Sequence, residues 1–172
     1  MIPKDNKELT EKYREEGKGI CGISCLAVIE GRTVQDTLND FDSVFSFKGY
    51  ANVRDLRKYL ENKGFKIKSV NRKGYKDFSK GIYIGRIQWL GDGDKKEQPF
   101  YGWKHWTEAS ARTHFIVIKK GMFFCNEENK WWSIPRLHRY LAEGNGIFTS
   151  YLEIKNNTLN DKTITKGDKS GR

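Results

Sequence analysis

The spacing of the hydrophobic residues changes near residue 62. Up to that point the apolar positions recur every three or four residues, which is typical of amphipathic helices. From residue 65 onward they alternate with polar residues or form short runs, which is typical of strands. The first part of the chain therefore predicts four helices, over residues 6–16, 21–30, 34–41 and 52–62.

Residues suited to helix ends mark these segments. Thr33 and Asn52 carry side chains that accept a hydrogen bond from the first turn of a helix. Gly31 and Gly64 follow predicted helix ends, where glycine readily adopts the left-handed conformation. The segment 21–30 is apolar on nearly all sides, so we expect this helix to be buried.

The rest of the chain predicts one more helix and a set of strands. The helix runs from Ile134 to Glu143, with Pro135 in its first turn. Residues 91–110 form a long loop that contains Trp103 and Trp106. Strands are predicted over residues 65–70, 81–90, 113–118, 122–126 and 147–154, with a short one near Trp131. Because helices come first and strands follow, we predict an α+β fold in which N-terminal helices pack on a C-terminal antiparallel sheet.

Chain length and net charge limit the number of domains and the kinds of partner. A chain of 172 residues with 37% hydrophobic content suits one domain, which we predict over residues 1–154. Residues 155–172 are polar and basic, and we expect them to form a disordered tail. The net charge of +10 would attract a nucleic acid, an anionic membrane surface or an acidic protein, although a basic surface that serves solubility is the favoured interpretation.

The cysteine content and the first apolar run indicate where the protein resides. Residues 21–29 are too few to span a membrane, and no secretory signal precedes them. Three cysteines are too few for a disulfide framework, so we expect a cytoplasmic protein with reduced thiols. No cofactor or metal is predicted, because Cys21 and Cys25, with Cys125 and a histidine, fit the spacing of structural zinc ligands poorly.

Cys21 is the candidate nucleophile. It begins the second predicted helix, where backbone N–H groups point at the sulfur and favour the thiolate. Cys25 lies one turn further along among apolar residues, where burial raises the pKa of a thiol and leaves it inert. We therefore expect Cys21 to be reactive and Cys25 to be a core residue.

Three histidines compete for the role of general base. His138 lies among charged residues of a predicted helix and is expected at the surface. His105 lies between two tryptophans of the long loop and could line a cleft. His114 begins a strongly apolar strand, where a polar residue requires an explanation. An imidazole placed next to Cys21 would supply that explanation, so His114 is the favoured base.

The register of the following hairpin decides which residue orients His114. If residues 119–121 form a three-residue turn with Gly121 in the left-handed conformation, His114 lies opposite Asn126. A two-residue turn shifts the register by one and places Glu127 there instead. We favour the three-residue turn because the glycine suits it. Asn126 is therefore the predicted orienting residue, and Glu127 is the alternative.

Two short motifs resemble a known family. The run CGISCLAVI at residues 21–29 resembles the nucleophile helix of papain-like cysteine peptidases, in particular the double-glycine peptidases that remove bacteriocin leaders, and their stand-alone relatives. The run THFIVI at 113–118 is similar to the histidine strand of that family. Between them, residues 55–65 are similar to its helix-then-strand passage. The resemblance covers about residues 15–135 and implies a papain-like fold.

The resemblance also implies roles for individual residues. Cys21 would be the nucleophile, His114 the general base and Asn126 the orienting group, in place of the aspartate usual in that family. Those enzymes place a glutamine about six residues before the cysteine, where it donates a hydrogen bond to the oxyanion. Glu15 occupies that position here, and an ionised carboxylate only accepts hydrogen bonds. The loss of such a donor typically costs about 100- to 1,000-fold in rate.

Two functions follow from these residues. The first is a thiol hydrolase that cleaves a peptide or amide bond through an acyl-enzyme. The second is a papain-like fold with impaired catalysis that acts as a basic binding module for nucleic acid or an acidic protein. The replaced glutamine and the positive charge favour the second function.

Overall fold

The computed structural model describes residues 1–71, 78–90 and 112–155. These residues form five helices and a sheet of six strands, which confirms the predicted α+β class. The helices are α1 (Asn6–Glu15), α2 (Cys21–Glu30), α3 (Val34–Phe45), α4 (Val53–Asn62) and α5 (Ile134–Glu143). The strands are β1 (Lys66–Asn71), β2 (Ile82–Trp89), β3 (Thr113–Lys119), β4 (Met122–Cys125), β5 (Lys130–Ser133) and β6 (Gly146–Lys155).

The ends of the helices follow the local sequence. The side chain of Thr33 accepts a hydrogen bond from the backbone N–H of Asp36, and that of Asn52 accepts one from Asp55. Gly31 ends α2 in the left-handed conformation, at φ 70°. Helix α3 continues four residues beyond its predicted end. Its last turn places the ring of Phe45 against Phe41, with 4.8 Å between the ring centroids.

The sheet is antiparallel throughout, with the strand order β1-β6-β2-β3-β4-β5. Successive side chains of a strand point to opposite faces of a sheet. Along β3, Phe115 and Val117 pack into a core with helix α2, whereas Ile116 and Ile118 pack into a second core with helix α5. The sheet therefore separates α2 from α5.

The predicted register of the β3–β4 hairpin is wrong. Lys119 pairs with Met122 and Val117 pairs with Phe124, so the turn consists of two residues, Lys120 and Gly121. Both residues have positive φ, 51° and 74°, as in a type I′ turn. Because Lys120 also adopts this conformation, every facing pair shifts by one residue relative to the three-residue prediction.

Several sequence predictions lie outside the described residues. These are the conformation of the loop over residues 91–110, with its two tryptophans and His105, and the disorder of the tail from residue 156 onward. Lys155, the first residue of the predicted tail, is the last residue of β6. None of the helices in the described ranges has both the length and the apolar character needed to cross a bilayer.

Candidate active site

Cys21 is the first residue of α2 and lies at one end of the sheet, next to β3. The preceding residue, Ile20, has no side-chain group that could cap the helix. The backbone N–H groups of Phe115 and Gly22 lie near the Cys21 sulfur and lower the pKa of its thiol. The pairing of β3 with β4 ends at Val117, and Phe115 lies two residues before Val117 in the chain. Among the three cysteines Cys21 is half-buried and the other two are buried.

The Cys21 thiol holds its proton more tightly than a free cysteine does. Burial raises the pKa of Cys21 to about 11, and the two backbone N–H groups that lower this pKa do not compensate. Nearby Glu127 raises it further, because its carboxylate would repel a thiolate. The expectation that the helix start lowers the pKa of this thiol is therefore wrong, because desolvation is the larger effect.

Cys25 and His138 lie where the sequence places them. Cys25 is buried, and burial raises the pKa of its thiol well above the usual value. His138 is exposed on helix α5. Neither residue contributes to the site at the end of β3, as predicted.

His114 lies in β3 directly before the residue whose N–H group contacts the Cys21 sulfur. Its side chain is 4% exposed and points to the face of the sheet that α5 covers. The ring contacts Cys125 on the neighbouring strand, with 3.6 Å between Nε2 and the Cys125 sulfur. The ring of Trp89 stacks on the imidazole at a centroid distance of 6.5 Å.

Glu127 approaches the other nitrogen of the His114 ring. Its Oε1 lies 4.0 Å from Nδ1, which is too long for a hydrogen bond but close enough for electrostatic attraction. Burial raises the pKa of Cys125, so its thiol is protonated beside Nε2. The tautomer with its proton on Nδ1 would direct that proton towards Glu127 and leave Nε2 free to accept from the thiol. The His114 ring thus lies between the Cys125 thiol and the Glu127 carboxylate.

Burial also determines the charge of the imidazole. It lowers the pKa of His114 below the ordinary value, and the attraction of Glu127 opposes this effect only in part. The imidazole is therefore neutral at neutral pH. The candidate site contains a neutral thiol and a neutral imidazole rather than an ion pair.

Asn126 lies at a different place from the one that its predicted role requires. Its side chain is 3% exposed and donates from Nδ2 to Oγ1 of Thr10, at 3.3 Å. Its backbone carbonyl accepts a hydrogen bond from the side chain of Asn6, at 3.0 Å. The two-residue turn brings Glu127 to the imidazole instead, which was the alternative that the sequence left open.

The side chains at the C-terminal end of α1 do not replace the glutamine that donates a hydrogen bond to the oxyanion in papain-like peptidases. Glu15 is exposed, and Glu16 forms an ion pair with Lys18 at 2.7 Å. The N-terminus of α2 offers other donors. Its first intrahelical hydrogen bond runs from Ser24 N–H to the carbonyl of Ile20, so the N–H groups of residues 21–23 have no acceptor within the helix.

Three residues near His114 were not singled out by the sequence as parts of the site. They are Cys125, Trp89 and Tyr140, whose hydroxyl lies 3.9 Å from the Cys125 sulfur. An open depression of about 380 Å³ lies beside them, lined by Trp89, Tyr140, Glu128, Arg136, Glu143 and Gly144. A two-residue turn would have identified Cys125 from the sequence, because it places Cys125 opposite Ile116, on the same face of the sheet as His114.

Within the described residues, no group of three or more histidine, cysteine, aspartate or glutamate side chains is arranged to hold a metal ion. No protein-family profile matches the chain, and comparisons with curated proteins and with solved structures find no match.

Proposed function

We propose that this protein is a papain-like cysteine hydrolase that cleaves a peptide or amide bond. Cys21 would act as the nucleophile and His114 as the general base, with Glu127 rather than Asn126 orienting the imidazole. One observation carries the proposal: the half-buried thiol at the start of α2 lies near the backbone N–H group of Phe115, the residue that follows His114. The start of a helix and the start of a strand, distant in sequence, thus lie next to each other, with the imidazole on the face of the sheet opposite to the thiol.

The protonation states support a general-base mechanism. The neutral imidazole removes the thiol proton as the Cys21 sulfur attacks the carbonyl carbon. The imidazolium then returns that proton to the leaving amine as the C–N bond breaks, which leaves an acyl group on sulfur. Water, deprotonated by the same imidazole, hydrolyses the thioester and releases a carboxylic acid. The N–H groups of residues 21–23, which have no acceptor within α2, would stabilise the oxyanion.

Cys125 is the competing thiol, because its sulfur already contacts Nε2. It is 1% exposed, however, and a substrate carbonyl must reach the attacking sulfur. We therefore assign Cys125 to holding the imidazole in the resting protein. Proton transfer from Cys21 would require the His114 ring to leave Cys125 and move towards the face of the sheet on which Cys21 lies.

Acylation by a small activated ester tests this proposal. The wild-type protein treated with p-nitrophenyl acetate should release a burst of nitrophenol and carry one acetyl group on Cys21, located by peptide mass spectrometry. His114→Ala should reduce the acylation rate by about 100-fold or more. Cys125→Ala is the matched control and should retain acylation of Cys21. Acetylation of Cys125, or an unchanged rate in His114→Ala, would refute the assignment.

The distribution of charge favours a second candidate, binding of a polyanion. Residues 53–71, which contain α4 and β1, include six basic and two acidic residues, and all six basic side chains are exposed. A nucleic acid or an acidic protein would be attracted to this segment. Retention on immobilised duplex DNA should then decrease steeply as salt increases. No retention at low salt would remove nucleic acid as the partner.

A further inference from the structure

Both residues that approach the nitrogens of the His114 ring lie at the turn between β4 and β5. Cys125, the last residue of β4, contacts Nε2, and Glu127 approaches Nδ1. Asn126 is the residue between them. The position of both groups therefore depends on how the backbone is held at Asn126.

Helix α1 holds this turn through Asn6, whose side chain is completely buried. Its Nδ2 donates to the backbone carbonyl of Asn126 at 3.0 Å and to Oδ1 of Asn129 at 2.8 Å. The N–H group of Asn129 donates to the same carbonyl at 3.2 Å and closes the turn. A single side-chain nitrogen thus connects both ends of the turn that contains Glu127.

A second contact lies one helical turn further along α1. The Nδ2 group of Asn126 donates to Oγ1 of Thr10. Asn6 and Thr10 are four residues apart and so lie on one face of the helix. Helix α1 therefore holds Asn126 both by its backbone and by its side chain.

This hydrogen-bond network is not optimal for stability. The Oδ1 atoms of Asn6 and Asn126 are buried and have no hydrogen-bond partner within the described residues. A buried unpaired acceptor costs free energy that an apolar pair of similar shape would not. The network nevertheless fixes the geometry of a turn beside the candidate base. We therefore expect it to position residues of the site rather than to stabilise the fold.

We propose that Asn6 is a positioning residue of the candidate site, which acts through the turn at 126–129 to hold Glu127 and Cys125 against His114. The inference rests on the proposed function for its catalytic meaning, but the contacts can be measured without substrate. Two other titratable groups lie near this cluster: Tyr140 on α5, whose hydroxyl contacts Cys125, and Cys21 on α2, whose thiol pKa is raised by Glu127.

A double-mutant cycle tests this proposal. The pKa of His114 is followed by NMR of the imidazole in the full chain. Glu127→Gln should lower this pKa in the wild-type protein, because an attracting charge is removed. In an Asn6→Ala background the turn is released, and the same substitution should lower the pKa by at most about half as much. An equal effect in both backgrounds would overturn the proposal.

Two further variants separate positioning from loss of stability. Thr37→Ala removes another buried polar group, on α3 and away from the turn, and should leave the effect of Glu127→Gln unchanged. If Asn6→Ala does not fold, Asn6→Leu replaces it, because leucine has a similar shape but no donor for Asn126 or Asn129. A reduced effect in Asn6→Leu supports the proposal, and an undiminished effect contradicts it.

The result of this experiment can be distinguished from the result of the acylation experiment that tests the proposed function. If the pKa effect depends on Asn6 but Cys21 is never acylated, the hydrolase proposal fails and the positioning role remains. If Cys21 is acylated and the pKa effect does not depend on Asn6, the hydrolase proposal remains and the positioning role fails. If both hold, Asn6→Ala should also slow the acylation of Cys21.

Discussion

Two backbone N–H groups near the Cys21 sulfur lower the pKa of its thiol, yet this thiol remains protonated at neutral pH. Both N–H groups favour the thiolate, but they act on a group that burial has removed from water. His114 is affected in the opposite sense, since burial favours its neutral form. At the scale of single residues, desolvation therefore makes both members of the pair neutral.

This argument predicts the reactivity of Cys21. Its alkylation by iodoacetamide should be slow at neutral pH and should increase about tenfold per pH unit until the pH approaches about 11. Peptide mass spectrometry after short reaction times measures the rate at each pH. Buried Cys25 in the folded protein serves as the internal control and should remain unmodified. A rate that is already maximal near neutral pH would contradict the neutral pair.

The lowered pKa of His114 predicts a loss of stability in acid. As pH falls through the ordinary histidine pKa of about 6.5, the unfolded chain binds a proton that the folded protein does not yet bind. The free energy of unfolding should therefore decrease below this pH. His114→Gln should make the decrease smaller, as measured by urea denaturation at about pH 7.5 and about pH 5.5. His138→Gln is the matched control, and an equal decrease in wild type and His114→Gln would exclude this contribution.

At the scale of elements, helix α2 lies unusually close to the chain before α4. A Cβ atom added to Gly22 would lie 3.1 Å from the Cβ of Ala51 and 3.2 Å from a methyl group of Leu56. Gly22→Ala should therefore destabilise the protein by about 1–2 kcal/mol, although alanine favours a helix. Chemical denaturation measures the change. Gly19→Ala, where nothing lies within 4 Å, is the matched control and should be close to neutral. Equal effects of both substitutions would contradict the close packing.

The β3–β4 turn predicts a stabilising substitution. Lys120 has φ 51°, a conformation that costs a residue with a Cβ atom about 1–2 kcal/mol. Lys120→Asn creates the Asn-Gly sequence that type I′ turns prefer and should stabilise the protein by about 0.5–1 kcal/mol. The unfolding midpoint in urea measures this gain. Lys119→Asn, one position earlier in β3, should bring none. A loss of stability in Lys120→Asn would contradict the two-residue turn.

The same turn explains why the sequence predicts the elements better than the site. Helix ends depend on neighbouring residues, so the caps at Thr33 and Asn52 could be predicted from the sequence. The register depends on whether Lys120 adopts a positive φ, and residue type alone does not decide this. One residue of register changes the partner of His114 from Asn126 to Glu127. The pKa of a thiol depends on burial by distant segments, which local spacing does not reveal.

At the scale of the whole molecule, the candidate site lies at the end of a sheet that separates two cores. The Cys21 sulfur belongs to the core with α2, and the His114 ring points into the core with α5. The thiol and the imidazole therefore lie on opposite faces of β3, near the end of that strand at which its pairing with β4 stops. The proposed proton transfer requires the imidazole to leave its contact with Cys125.

The net charge of +10 also leaves unfavourable contacts within the sheet. Exposed Lys66 on the edge strand β1 lies directly opposite Lys155 of β6, and like charges at such positions are destabilising. Lys66→Glu creates an attractive pair and should stabilise the protein by about 0.5–1 kcal/mol at low salt, with a smaller gain at high salt. Thermal unfolding at two salt concentrations measures both effects. Lys48→Glu changes the net charge equally in the exposed segment before α4. Because it has no opposing lysine on a neighbouring strand, an equal gain in Lys48→Glu would assign the effect to overall charge rather than to the β1–β6 pair.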